Sequence, residues 1–288
     1  PFTFAFDKNT GKLAWSVGSD SLRTPHTGAL RYSGKQPMIP AASVTGEDAM
    51  LIQRLLAAGD SVRMHLLLTP RSHPDVESAN VVAEIRGREK PEEIVLIGGH
   101  LDSWDLGTGA IDNASGVAMV MDTMRALREL GLQPRRTIRA VLFMNEENGL
   151  RGARAYAKDH AAELPRHVAA VESDAGASFP LGFRTTLAGE VREAFVAPFK
   201  TTLRRVDATA FETSEYSGAD TSPLVDAGVP GFGLMTEASK YFHYHHSPAD
   251  TLDKIDSDEI TRATAAFAAL TWMLAERPDL APRGAIKP

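Results

Sequence analysis

Apolar residues recur along this chain in two rhythms. Ile94, Val95, Leu96 and Ile97 form an unbroken run that ends on Gly98-Gly99, and residues 137–144 and 167–171 form two more. Short apolar runs bounded by turn or acidic residues read as strands buried on both faces. Between the first two runs, Val117, Val120, Met121, Met124 and Leu127 recur at helical spacing, with Gly131 as a stop. Residues 150–158, 190–199 and 258–274 also read as helices, and 229–235 as a short strand. Val81, Val82 and Ile85 mark a further strand, with a hairpin-like turn at 86–91 leading into the run at 94. Strands alternating with helices predict an α/β fold: a mixed, mostly parallel sheet sandwiched by helices.

Residues 1–78 have a different texture. Turn signals stand at Asn9-Thr10-Gly11 and Ser33-Gly34-Lys35. One helix is expected, capped by Ser43 or Thr45, with Glu47 and Asp48 in its first turn and Met50, Leu51, Leu55 and Leu56 on one face before Gly59. Alternation over 61–68 predicts a strand, and the polar, proline-containing stretch 70–78 reads as a connection. The expected organisation is a small α+β unit over 1–78 and a larger α/β domain over 79–282.

Composition narrows the chemistry. A length of 288 residues suits one large domain plus a smaller attachment. The net charge of −6, without a basic run, gives no general attraction to nucleic acid. No apolar stretch reaches the ~20 residues of a membrane span. With no cysteine, any metal must be held by histidine and carboxylate. The chain begins at Pro1 without Met, and residues 2–6 read like the middle of a fold, so a fragment or processed form is expected.

Three apolar runs end the same way. His100 and Asp102 follow the first, Glu146-Glu147 the second and Asp174 the third. In a parallel sheet such ends share one edge. A fourth contribution is the loop YFHYHHSPAD at 241–250, which holds three of the nine histidines within four residues. Taken singly, each piece has an ordinary explanation. His-x-Asp occurs as a surface pair, adjacent glutamates complement a helix start, and Asp174 would cap a turn. Their shared position at strand ends favours a metal site.

The segments GGHLDSWDLGTGAIDNASG, PRRTIRAVLFMNEE, ESDAG and HHSPADT resemble the co-catalytic zinc exopeptidases. That family includes secreted bacterial aminopeptidases and the plasma glutamate carboxypeptidase group, and the latter is the better match over about residues 24–282. The resemblance implies that 1–78 is the later part of an inserted protease-associated domain, and that the peptidase domain, here 79–282, begins before this chain does. It also implies a secreted or periplasmic protein acting on peptides and is compatible with a homodimer. Asp112 would bridge two zinc ions, with His100 and Asp174 on one and Glu147 and His246 on the other. Two dications against three carboxylates leave one positive charge, which a bridging hydroxide neutralises. Other divalent transition metals suit the same donors. Glu146 would be the general base rather than a ligand. Asp102 would either accept from the second nitrogen of His100 or cap its loop.

Other roles are less sharply assigned. His246 is chosen over His243 and His245 because the resemblance places a histidine four residues before Asp250-Thr251. His245 or Tyr244 would stabilise an oxyanion or line the pocket, Trp104 would contact substrate, and Asp220 would be structural or position substrate. Phe211, Tyr216 and Phe242 are further candidate pocket walls. The peptide after Asp112 is expected to be cis. The expected function is a di-zinc exopeptidase of aminopeptidase or carboxypeptidase/dipeptidase type. The alternatives are a metal-free, receptor-like binding module of the same fold and a single-zinc acyltransferase resembling glutaminyl cyclases.

Overall fold

The computed structural model describes residues 2–6, 13–18, 25–29 and 41–284, the first two segments by backbone alone. The turn signals at Asn9-Thr10-Gly11 and Ser33-Gly34-Lys35 lie outside the described residues. Strands β1 (Phe2–Phe6) and β2 (Leu13–Gly18) pair antiparallel. Helix α1 (Gly46–Ala57) starts at Thr45, whose hydroxyl accepts from the Asp48 N–H and so supplies a missing helical acceptor. Residues 61–68 form no strand. Met64 and Leu67 are exposed, and among the described residues this stretch has no strand to pair with, so its alternation makes no ladder.

The seven-stranded sheet begins with β3 (Val81–Ile85) and β4 (Lys90–His100). Helix α2 (Ser115–Glu129), β5 (Arg136–Phe143), α3 (Arg151–Asp159) and β6 (His167–Glu172) follow. Then come β7 (Pro180–Thr185), α4 (Gly189–Leu203), β8 (Ala210–Thr213), α5 (Ser222–Asp226) and β9 (Gly231–Thr236). Two last helices, α6 (Tyr241–Tyr244) and α7 (Ser257–Glu276), complete the chain's regular structure among the described residues. The strand order is β3-β5-β4-β6-β9-β7-β8. The central four, β5, β4, β6 and β9, run parallel.

Residues 86–91 therefore do not close a hairpin. β3 pairs antiparallel with β5, which lies between it and β4. Strands β7 and β8 were not expected from the sequence. Pro180, Gly182 and two polar positions hide β7, and β8 has only four residues. Gly182 has φ +152°, and a Cβ there would stand 1.9 Å from the Ala210 carbonyl oxygen, so this strand contact requires glycine.

Period-two alternation divides the buried runs between two cores. Val95 and Ile97, with Ile138 and Val171, pack beneath α2 and α7 through Met119, Val120, Leu127, Phe267 and Leu270. Leu96, Val141, Phe143 and Ala170 point the other way, against Ala153, Tyr156 and Leu224. Met121, expected on the apolar face of α2, is 60% exposed.

A buried polar chain underlies the second core. The Arg139 guanidinium donates to the Tyr156 hydroxyl at 2.8 Å and pairs with Glu84 and Glu163. The Tyr156 hydroxyl lies 2.8 Å from His167 Nε2, and His167 Nδ1 lies 3.1 Å from the Glu163 carbonyl. Burial pushes His167 down to about 4 from its usual 6.5. Below pH 6.5 the unfolded chain takes up this proton and the folded chain does not, so stability falls with pH across that window. The loss reaches about 3 kcal/mol by pH 4. Denaturant titrations from pH 7 to 4 should show a shallower fall in His167→Gln than in the parent. Parallel curves would exclude the imidazole as the cause.

Candidate metal centre

The carboxyl ends of the four parallel strands lie side by side, and each delivers one part of a polar cluster. His100 is the last residue of β4 and is 1% exposed. Its Nε2 stands 3.1 Å from Asp112 Oδ1 and 3.2 Å from Asp174 Oδ1, the latter just beyond β6. Asp112 turns its other oxygen the opposite way: Oδ2 is 3.2 Å from His246 Nε2, which is also 3.0 Å from Glu147 Oε2. One carboxylate thus faces a histidine and an acid on each side.

The loops carrying these groups are tied together. Asp250 accepts from the main-chain N–H groups of Ile111 and Asp112 at 2.5 and 3.1 Å. The Asp112–Asn113 peptide is cis. The Asn113 amide donates to the Ser173 carbonyl and accepts from the Gly116 N–H, joining the loop to the end of β6 and to α2. A Cβ on Gly116 would lie 2.2 Å from both Asn113 Oδ1 and the Ser173 carbonyl oxygen, so only glycine admits this approach.

Several side chains have different partners from those expected. His100 Nδ1 is held by the main-chain carbonyl of Asp102 at 2.8 Å, while the Asp102 carboxylate is 3.9 Å away. That carboxylate instead accepts from the Glu146 and Glu147 N–H groups at 2.9 and 3.2 Å. Asp102 is therefore a loop cap that fixes where both glutamates leave the strand. Trp104 donates its indole N–H to Glu147 Oε2 at 2.7 Å, orienting that acid. His245 stacks on His246 with ring centroids 3.6 Å apart, and its Nε2 is 3.3 Å from Asp112 Oδ2.

The remaining candidates border the cluster or lie away from it. Tyr244 lines an open cavity of about 130 Å³ with Tyr241, Ile111, Gly176, Lys240 and Lys254. Asp220 is fully buried with both carboxylate oxygens unpartnered, and its N–H donates to Glu172. It belongs to neither group of donors described below. Phe211 is committed to the core. The role of Asp250, the Glu146 and Glu147 N–H groups that the Asp102 cap binds, and the contact of His246 with Thr27 escaped sequence reading. The spacing His246 to Asp250 was visible as a motif, but the hydrogen bonds that Asp250 makes were not.

Electrostatics mark the cluster as a place for cations. Burial opposes charge on His100, but the Asp112 and Asp174 carboxylates outweigh it and raise the imidazole well above its usual range. His246 is raised in the same manner to about 10 by Asp112 and Glu147. Asp112 is held well below the usual carboxylate range despite its burial. Burial, then the surrounding carboxylates, pushes Glu146 up to about 8 against the pull of His100, whereas a dication nearby would pull it down. His245 is lowered to about 3 by burial and stays neutral.

The donors fit divalent metal. Ligand atoms of His100, Asp112 and Glu147 lie within 4.8 Å of one another, as do those of Asp112, His245 and His246. Glu147 Oε1 is buried without a hydrogen-bond partner, a cost of about 1–3 kcal/mol that an ion would remove. Nitrogen and carboxylate oxygen donors suit zinc and its neighbours.

Comparison with known proteins bears on the same residues. The profile described as Peptidase family M28 matches residues 80–271, the whole span from β3 into α7. This chain belongs to Peptidase family M28. Carboxypeptidase Q of Mus musculus is 37% identical over 272 residues, covering 94% of this chain and 57% of the relative. The Homo sapiens protein of that name is 36% identical with the same coverage. The chain thus spans a little over half the length of these relatives. A Peptidase M28 precursor from Shewanella amazonensis superposes with TM-score 0.79 at 38% identity, over 93% of this chain and 61% of that one. A zinc aminopeptidase from Bacillus subtilis shares the fold, with TM-score 0.57 at 20% identity over 72% of this chain and 53% of that one. In this chain the seven-stranded mixed sheet gathers the cluster at the carboxyl ends of its parallel strands. Among the described residues no helix is long and apolar enough to cross a membrane.

Proposed function

We propose that this chain carries the catalytic centre of a di-zinc exopeptidase that hydrolyses dipeptides or short peptides. The observation that supports it most is the placement of Asp112, with Oδ1 toward His100 and Asp174 and Oδ2 toward His246 and Glu147. These five residues would hold two ions, with Asp112 shared. When bound, such a pair supplies Lewis-acid polarisation of a carbonyl and acidifies water. Glu146 then takes a proton from the attacking water and passes it to the leaving amine as the peptide bond breaks. Asp102 holds the main chain beneath Glu146 and Glu147 so that one serves as base and the other as ligand. Neutral His245 and the tyrosines at 241 and 244 border the space where a scissile carbonyl would lie.

The relatives are named carboxypeptidase and aminopeptidase, which supports peptide hydrolysis and leaves both termini as candidates for recognition. The same reading assigns 1–78 to the later part of a protease-associated domain and 79–282 to the catalytic domain. The Shewanella relative is described as a precursor, which favours a secreted or periplasmic protein. The complete donor set argues against a metal-free receptor module, and the pairing of Glu147 with His246 argues against a single-zinc cyclase-like site.

The test is hydrolysis of free, amino-blocked and carboxyl-amidated dipeptides by the zinc-loaded chain and by the chelated chain. Zinc-dependent cleavage of at least one set is expected, and the blocked set that survives uncut identifies the terminus that is read. No cleavage by a chain holding two ions would overturn the proposal.

A further inference from the structure

The segment 25–29 lies more than 200 residues before the histidine loop, yet it is fastened to it at three points. The Thr27 N–H donates to the His246 carbonyl at 2.8 Å. His246 Nδ1 lies 2.9 Å from the Thr27 carbonyl oxygen, which can only accept, so this nitrogen carries the proton and donates. His26 Nε2 lies 3.0 Å from the Phe242 carbonyl oxygen and donates to it on the same grounds. The His26 ring also lies over Phe242 and against His245, with centroids 6.4 and 5.4 Å apart.

These contacts fall where the loop most needs support. His246 has φ +52°, a left-handed conformation that disfavours residues other than glycine. The only helix inside the loop is α6, four residues long. Asp250 ties the far end of the loop to Asp112, but it touches neither the carbonyl nor the ring of His246. Main-chain groups of Thr27 grip both. A proton fixed on Nδ1 leaves Nε2 as the nitrogen facing Asp112 and Glu147, which is the tautomer a metal ligand requires.

We infer that residues 26–27 form a strap that positions His246: Thr27 sets its tautomer and backbone conformation, and His26 anchors the strap to the loop. The inference rests on the reading of His246 as a metal ligand. The region before the catalytic sheet then completes the half of the site made by Glu147 and His246, and leaves the half made by His100 and Asp174 untouched. Thr27 acts through its backbone, so the residue type at 27 matters little provided it has an N–H.

The experiment is a competition titration of zinc against a chromophoric chelator, giving both dissociation constants for the full chain and its variants, alongside melting temperature. In Thr27→Pro, which lacks the N–H, the weaker-held or stronger-held ion, but only one of them, should lose about tenfold or more in affinity while the other changes by less than about twofold. Thr27→Ala should match the parent. His26→Ala should weaken the same ion, and His26→Gln, which keeps an N–H donor, should recover part of the loss. His26→Ala also serves as the test if Thr27→Pro does not fold. The strap is refuted if Thr27→Pro and His26→Ala bind both ions like the parent, or if they weaken both ions equally as melting temperature falls. A parent that takes up fewer than two ions overturns the metal reading itself, and this inference with it.

Discussion

Glu146→Gln is expected to take up the same two zinc ions per chain proposed for the parent and to turn over dipeptides about a thousandfold more slowly, within the ~10²–10⁴ that a positioned acid–base group contributes. The amide keeps the size and hydrogen-bonding outline of the acid but takes up no proton at neutral pH. The close contacts that join Asp112 to His100, Asp174, His246 and Glu147 do not include the Glu146 carboxylate, so its neutralisation should remove no ligand. Its main-chain N–H remains capped by Asp102, and the neighbouring Glu147 keeps its bond from Trp104. The loss should therefore appear in kcat with KM little changed, which marks an interaction made only in the transition state. A thousandfold fall corresponds to about 4 kcal/mol of barrier. Near-parent turnover would remove Glu146 as the base, and loss of one ion would make it a ligand instead.

What could be read from the sequence follows a physical pattern. The central strands were visible because burial on both faces writes an unbroken apolar run, as in residues 94–97. The polar groups at the ends of such runs were visible too, because His100, Glu147 and Asp174 follow apolar stretches with side chains that burial would otherwise exclude. Edge elements leave no such record. β8 is four residues long, and β7 contains both a proline and a glycine, while 61–68 alternates without becoming a strand. Side-chain roles set by hydrogen-bond partners were legible only in part. Asp102 was expected beside His100, but whether its carboxylate or its carbonyl would reach the imidazole depends on how the loop turns. The strap at Thr27 left no trace in the sequence because it works through backbone groups that every residue except proline possesses.

Asp112→Asn should be the most damaging single change at the site, because it acts on both halves at once. Each carboxylate oxygen faces a different histidine, and an amide can present an oxygen to only one side while its NH₂ group points donors at the other. The charge count worsens together with the geometry. Two dications would face Glu147 and Asp174 alone, an excess of two positive charges in a buried pocket where Asp112 itself is 4% exposed. The expected result is uptake of at most one ion per chain and activity at least ~10⁴-fold below the parent, beyond what Glu146→Gln loses through acid–base catalysis alone. Zinc should also cease to stabilise the fold. A ligand that binds only the native state at a hundred times its dissociation constant adds about 2.7 kcal/mol per site, so the parent should melt at a clearly higher temperature with zinc and the variant should not. Asp174→Asn provides the contrast, since its carboxylate stands 3.2 Å from His100 and pairs with neither histidine on the other side. It should cost one ion only. Equal metal loss in the two variants would show that Asp112 is an ordinary one-sided ligand, and the two-ion centre would lose its central support.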